Sequence, residues 1–180
     1  MALAPEYYTA EMVRALPDDG QRYELVHGEL LVSPSPRLVH QRIVTRLVLA
    51  IGPYCARIGL GEVLTSPADV SWGPDTLVQP DVFVVTPGEA GKRDWSEIRT
   101  LDLVVEVLSP STAKHDRFQK RKLYQRQGVG TLWLIDTERR LVEVWTPDAL
   151  FPTVEAARLS WRPSTASEPL VLDIATLLEA

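Results

Sequence analysis

At 180 residues with 45% apolar side chains, the chain is long enough to bury one core and short for two, so a single domain over 1–180 is expected. A formal net charge of −5 argues against a general nucleic-acid binder, and any contact with phosphates must be local. One cysteine, Cys55, excludes an intrachain disulfide, no segment is apolar for the length of a membrane span, and the start Met1-Ala2-Leu3-Ala4-Pro5-Glu6 lacks the pattern of a signal peptide, which makes a cytoplasmic protein the expectation.

In chain order, Thr9 to Leu16 reads as a short helix capped by Thr9 and stopped by Pro17-Asp18-Asp19-Gly20. Tyr23 to Val26 and Glu29 to Val32 flank His27-Gly28 as a hairpin. Glu24 lies inside its first strand; taken alone, it is a solvent-facing residue of an edge hairpin. After Pro34-Ser35-Pro36, Ile43, Leu47, Ile51, Cys55 and Ile58 mark one face of a long helix that Gly52-Pro53 should kink or split. His40 stands near that face, where a lone histidine is more often a packing residue than a ligand.

Glu62 to Thr65 and Ala68 to Trp72 read as short strands broken by Ser66-Pro67, and Gly73-Pro74-Asp75 turns the chain into a strand from Val78 to Val85. An exposed polar loop is expected from Thr86 to Thr100, then a strand from Leu101 to Leu108. A polar helix follows from His115 to Gln127, ended by Gly128; Asp116, Lys120 and Tyr124 share one of its faces. Thr131 to Ile135 and Leu141 to Trp145 form the next hairpin, Thr153 to Ser160 and Glu168 to Leu172 a final strand pair, and Ile174 to Leu178 a helical turn.

Two residues in this pattern need an explanation, because a carboxylate inside an apolar strand is costly unless its charge is compensated. Asp81 lies in the first such run and Glu106 in the second. A pair of this kind on neighbouring strands suits a hard divalent cation, which can position water and polarise a phosphoryl oxygen. That chemistry also wants a fixed positive charge, for which Lys120 is the candidate.

Pro80-Asp81 followed by Glu106-Val107-Leu108 resembles the PD-(D/E)XK restriction-endonuclease-like superfamily, although Leu108 stands where that superfamily normally has its lysine. Tyr23-Glu24-Leu25-Val26-His27-Gly28-Glu29-Leu30, His40-Gln41, Gln79-Pro80-Asp81-Val82, Val105 to Thr112, and then Asp116, Lys120 and Tyr124 together resemble the Uma-two (Uma2) family, whose lysine has moved to the following helix. The resemblance covers about 23–145. Thr131 departs from it, since the family usually has an acidic residue there.

The resemblance implies an α/β restriction-endonuclease-like domain, with a mixed central sheet flanked by helices, that cleaves DNA with Mg2+ or Mn2+. Asp81 and Glu106 would be metal ligands, joined by the main-chain carbonyl of Val107, and Glu24 would lie near enough to orient water or join a second metal. Lys120 would contact the attacking water or the phosphate. Asp116 and Tyr124 would orient the lysine, and Gln79 and His40 would support the ligands. A homodimer is expected because a duplex presents two strands, with Trp145, Phe151 and Trp161 as candidate interface aromatics. The alternative is a non-catalytic scaffold of the same fold that binds nucleic acid or a partner protein.

Overall fold

The computed structural model describes residues 7–179, so the expectation drawn from Met1 to Glu6 lies outside the described residues. Helix α1 (Ala10–Arg14) opens the chain, capped by Thr9, whose side chain accepts from the Met12 N–H. Strands β1 (Arg22–Val26) and β2 (Glu29–Ser33) pair antiparallel around His27 and Gly28, both of which have positive φ, as a two-residue turn of this hand requires. Helix α2 (Leu38–Ile58) then runs without interruption through Pro53, contrary to the expected break. Pro53 and Leu49 are both exposed, so the carbonyl bond that the proline cannot make falls on the solvent side.

Strands β3 (Val63–Thr65), β4 (Val70–Gly73), β5 (Thr76–Val78) and β6 (Val82–Val85) follow. The expected Val78 to Val85 strand is therefore two strands. They belong to different sheets, with Gln79-Pro80-Asp81 as the joint, and Pro80 has no N–H with which to continue a ladder. Strand β7 (Leu101–Leu108) leads into helix α3 (113–126), whose middle segment, Asp116–Lys120, is a π-turn with the Arg121 N–H bonded to the Asp116 carbonyl. Strands β8 (Thr131–Asp136) and β9 (Leu141–Trp145) are followed by β10 (Thr153–Glu155), β11 (Arg158–Trp161), β12 (Leu170–Asp173) and the terminal turn α4 (Ile174–Leu177).

A six-stranded sheet has the order β10-β9-β8-β7-β6-β3, with β7 and β8 parallel and the other pairs antiparallel, so it is mixed. A four-stranded sheet has the order β2-β1-β5-β4, and β11 pairs with β12. The expected final strand pair is thus divided, since its first run gives β10 to the large sheet and β11 to the terminal hairpin. One face of the large sheet packs Leu103, Val105, Val107 and Trp133 against Ile43, Leu47 and Ile51 of α2. The other packs Val104, Leu108 and Leu134 against Leu123 and Tyr124 of α3 and against Val26 and Leu31 of the small sheet. Alternation along β7 therefore aims Glu106 at α3 and the small sheet.

The segment from Thr86 to Thr100 is exposed along most of its length, as expected, but it is pinned at two points. Its Ile98 is buried, Glu89 accepts from the N–H and hydroxyl of Thr100, and Asp94 caps a 3-10 turn at Trp95–Glu97. Among the described residues no helix is long and apolar enough to cross a membrane.

Candidate functional site

The two sheets and both long helices meet where the chain places its buried charges. Glu24 comes from β1, Asp81 from the joint ahead of β6, Glu106 from β7, and Asp116 and Lys120 from α3; each is nearly inaccessible. Lys120 Nζ lies 2.7 Å from Glu106 Oε1, 2.9 Å from Glu24 Oε1 and 3.3 Å from Asp116 Oδ1. The π-turn of α3 begins at Asp116 and ends at Lys120, which makes the site's one lysine part of an irregular helical turn. Lys122, two residues on, is exposed.

Arg22 is the member that sequence reasoning missed. Its Nη1 donates to Asp81 Oδ1 at 2.8 Å, and its Nη2 is 3.3 Å from Glu24 Oε2 and 3.8 Å from Glu106 Oε2. A signal existed, because residues 22 and 24 of one strand share a face, but Arg22 reads as the flank of a hairpin until its face is known to be buried.

The remaining candidates divide into contacts and supports. His40 Nε2 is 3.0 Å from Asp81 Oδ2, which also accepts from the Val107 N–H at 2.8 Å. Tyr124 donates its hydroxyl to Glu106 Oε1 at 2.5 Å, so the tyrosine holds the carboxylate and not the lysine. Gln79 sends its side chain to Asp69, away from the cluster, while its main-chain N–H holds Glu24 Oε1 at 2.8 Å. A cleft of about 450 Å³ opens over Arg22, His40, Gln41, Gln79 and Asp81. Trp145 and Trp161 are buried core residues, and only Phe151 of the three aromatics is exposed.

Charge counting explains how the carboxylates behave. Four carboxylates, Glu24, Asp81, Glu106 and Asp116, face two permanent cations, Arg22 and Lys120, which leaves two negative charges uncompensated if all ionise. A buried site does not sustain that excess. Burial raises all four, but the Lys120 and Arg22 charges and the Gln79 N–H bring Glu24 below its ordinary value, and the His40 hydrogen bond and Arg22 charge do the same for Asp81. For Glu106, burial and the neighbouring carboxylates outweigh Lys120, and it is pushed up to about 8. Asp116 is also raised, chiefly by burial. Glu106, pushed up to about 8, is the carboxyl best placed to retain a proton at neutral pH, which removes part of the excess.

Among the described residues, no three His, Cys, Asp or Glu side chains converge on a position that could hold a metal ion. The reason is visible in the pairings: Arg22 and Lys120 stand between the carboxylates. The donor chemistry nevertheless fits a hard cation, because Asp81 and Glu106 both offer oxygens to the same guanidinium.

Residues 9–174 match the model of the Uma2 family, described as "Putative restriction endonuclease". Among solved structures, the chain is similar to the crystal structure of a "putative nuclease belonging to DUF820" from Anabaena variabilis, with 25% identity, a TM-score of 0.76, and coverage of 94% of this chain and 97% of that one. No curated protein matches it.

Proposed function

This chain belongs to the Uma2 family, and on that premise we propose that it hydrolyses phosphodiester bonds in DNA, with a magnesium or manganese ion held by Asp81 and Glu106. The observation that carries the reading is the placement of Lys120 of α3 against Glu106 of β7, which supplies the charge that Leu108 cannot. The main-chain carbonyl of Val107 would complete the protein ligands, and Glu24 would hold water beside them. When bound, the ion would polarise a water and neutralise charge on the phosphate oxygens. The chain's own residues do the positioning. Lys120 Nζ, enclosed behind Glu106 and Glu24, would donate to a water or phosphate oxygen admitted there with the ion, while Glu24 and Asp116 fix its ammonium, Tyr124 fixes Glu106, and His40 fixes Asp81.

The second reading is a non-catalytic nuclease-fold scaffold that binds nucleic acid or a partner protein. One observation favours it: with Arg22 and Lys120 pairing the carboxylates, the side chains as they stand form a compensated cluster and not a set of converging metal ligands. On the described arrangement alone, this reading has the better support. The hydrolytic one rests on residue types and on the family.

Manganese titration of the intact protein, run beside a plasmid-cleavage assay, separates the two. Metal-dependent nicking that Asp81→Asn abolishes establishes hydrolysis. DNA binding without nicking on varied substrates establishes the scaffold.

We also infer a symmetric dimer. Leu150 and Phe151 are 86% and 83% exposed beside β10, one of the two edge strands of the large sheet, and Val154 on that strand is half exposed. An apolar edge of this kind is suited to pairing with a second copy.

A further inference from the structure

Two cations serve the carboxylates, and their settings differ. Lys120 is enclosed, with 1% of its side chain exposed, and it takes the Oε1 atoms of Glu24 and Glu106. Arg22 takes the Oε2 atoms of the same two residues and Oδ1 of Asp81, with 20% of its side chain exposed at the wall of the cleft. One cation is sealed behind the cluster and the other stands at its opening.

A hard cation bonded to oxygens of Asp81 and Glu106 would sit about 2 to 2.5 Å from each. The Arg22 guanidinium already bridges those two residues, at 2.8 Å and 3.8 Å. Two positive groups cannot share that space. Lys120 has nowhere to go, whereas Arg22 borders an open cleft.

We propose that Arg22 is an exchangeable counter-ion of the site: it holds Glu24, Asp81 and Glu106 together in the metal-free protein and turns out into the cleft when a divalent cation takes its place. This rests on the hydrolytic reading above. Metal and guanidinium then compete for the same oxygens, and metal affinity is set partly by the cost of releasing Arg22. The closed cluster and the metal-binding one are two states of one site.

The test is calorimetric titration of Mn2+ into the full chain, comparing the parent with Arg22→Ala and Arg22→Lys, together with thermal unfolding with and without Mn2+. Arg22→Ala is expected to bind Mn2+ about tenfold more tightly than the parent or better. It should be less stable than the parent without metal and recover with it. Arg22→Lys, whose single ammonium cannot present separate nitrogens to Asp81 and to Glu24 and Glu106 as the guanidinium does, should fall between them. Equal or weaker Mn2+ binding by Arg22→Ala, where the parent binds, overturns the exchange while leaving the metal site standing. If Arg22→Ala is unfolded without metal, recovery of its circular dichroism on adding Mn2+ supports the exchange; no recovery, with Arg22→Lys binding no tighter than the parent, overturns it. Absence of Mn2+ binding by every form overturns the hydrolytic reading and this inference with it.

Discussion

Lys120 Nζ lies 2.7 Å from Glu106 Oε1, and neither side chain exposes more than 1% of its surface. A lysine so enclosed is a structural member as well as a candidate for chemistry. Its removal leaves three carboxylates without their inner cation, and breaking a buried pair in this way costs about 3 to 5 kcal/mol. Lys120→Ala should therefore lower the urea midpoint substantially and abolish nicking, whereas the exposed Lys122→Ala should leave both near the parent values. Parental stability in Lys120→Ala would contradict the burial of the pair.

A pH dependence follows from Glu106. Its ordinary value is 4.5 and burial among carboxylates pushes it up to about 8. Between those values the folded chain keeps a proton that the unfolded chain has released, so this group's contribution to stability is present at low pH and is lost as pH rises through about 8. Asp81 and Glu24 are displaced downward, so their contributions persist through this window and fade only in stronger acid. Urea unfolding of metal-free protein should show stability falling from pH 5 to pH 8, with a shallower fall in Glu106→Gln. Identical slopes in the two proteins would refute the assignment.

Tyr124→Phe isolates one bond. The ring is fully buried and its hydroxyl donates to Glu106, so the substitution keeps the packing and deletes only the donor. A loss of about 0.5 to 1.5 kcal/mol is expected while Glu106 holds its proton, rising to about 1.5 to 3 kcal/mol above about pH 8, where it is charged. Differential scanning calorimetry measures it, and no change in Tm would mean that the bond contributes nothing net.

Leu150→Ser with Phe151→Ser tests the dimer. These side chains are too exposed to support the fold of one copy, so the double variant should keep the parent's circular dichroism while light scattering falls from dimer mass to monomer mass. A parent that is already monomeric at micromolar concentration would end the proposal.

How much of this could be read from sequence depended on whether local pattern or tertiary context decided each feature. Strand β7 was legible residue for residue, because a run such as Leu101 to Leu108, buried on both faces, has a signature of its own. The hairpin around His27-Gly28 and the row Asp116, Lys120, Tyr124 were legible for the same reason. Strands β5 and β6 merged into one run, because apolar content continues across Gln79-Pro80-Asp81 and only the sheet assignment separates them. Arg22 stayed hidden because nothing local says that its strand face is covered, and no local pattern marks the π-turn at Asp116.

The joint at Gln79-Pro80-Asp81 gives the small sheet a fate shared with the rest. Glu24 is tied to the helix through Lys120 and to the joint through the Gln79 N–H, and the Pro80 carbonyl is held in turn by the Ser66 hydroxyl at 2.6 Å. Opening the small sheet alone would strand Lys120 and Arg22 with fewer partners, so it carries a penalty larger than its modest apolar contacts suggest. Amide protons of β1, β5 and α3 should accordingly exchange with solvent together, as one unit of local unfolding, even though these elements lie far apart along the chain.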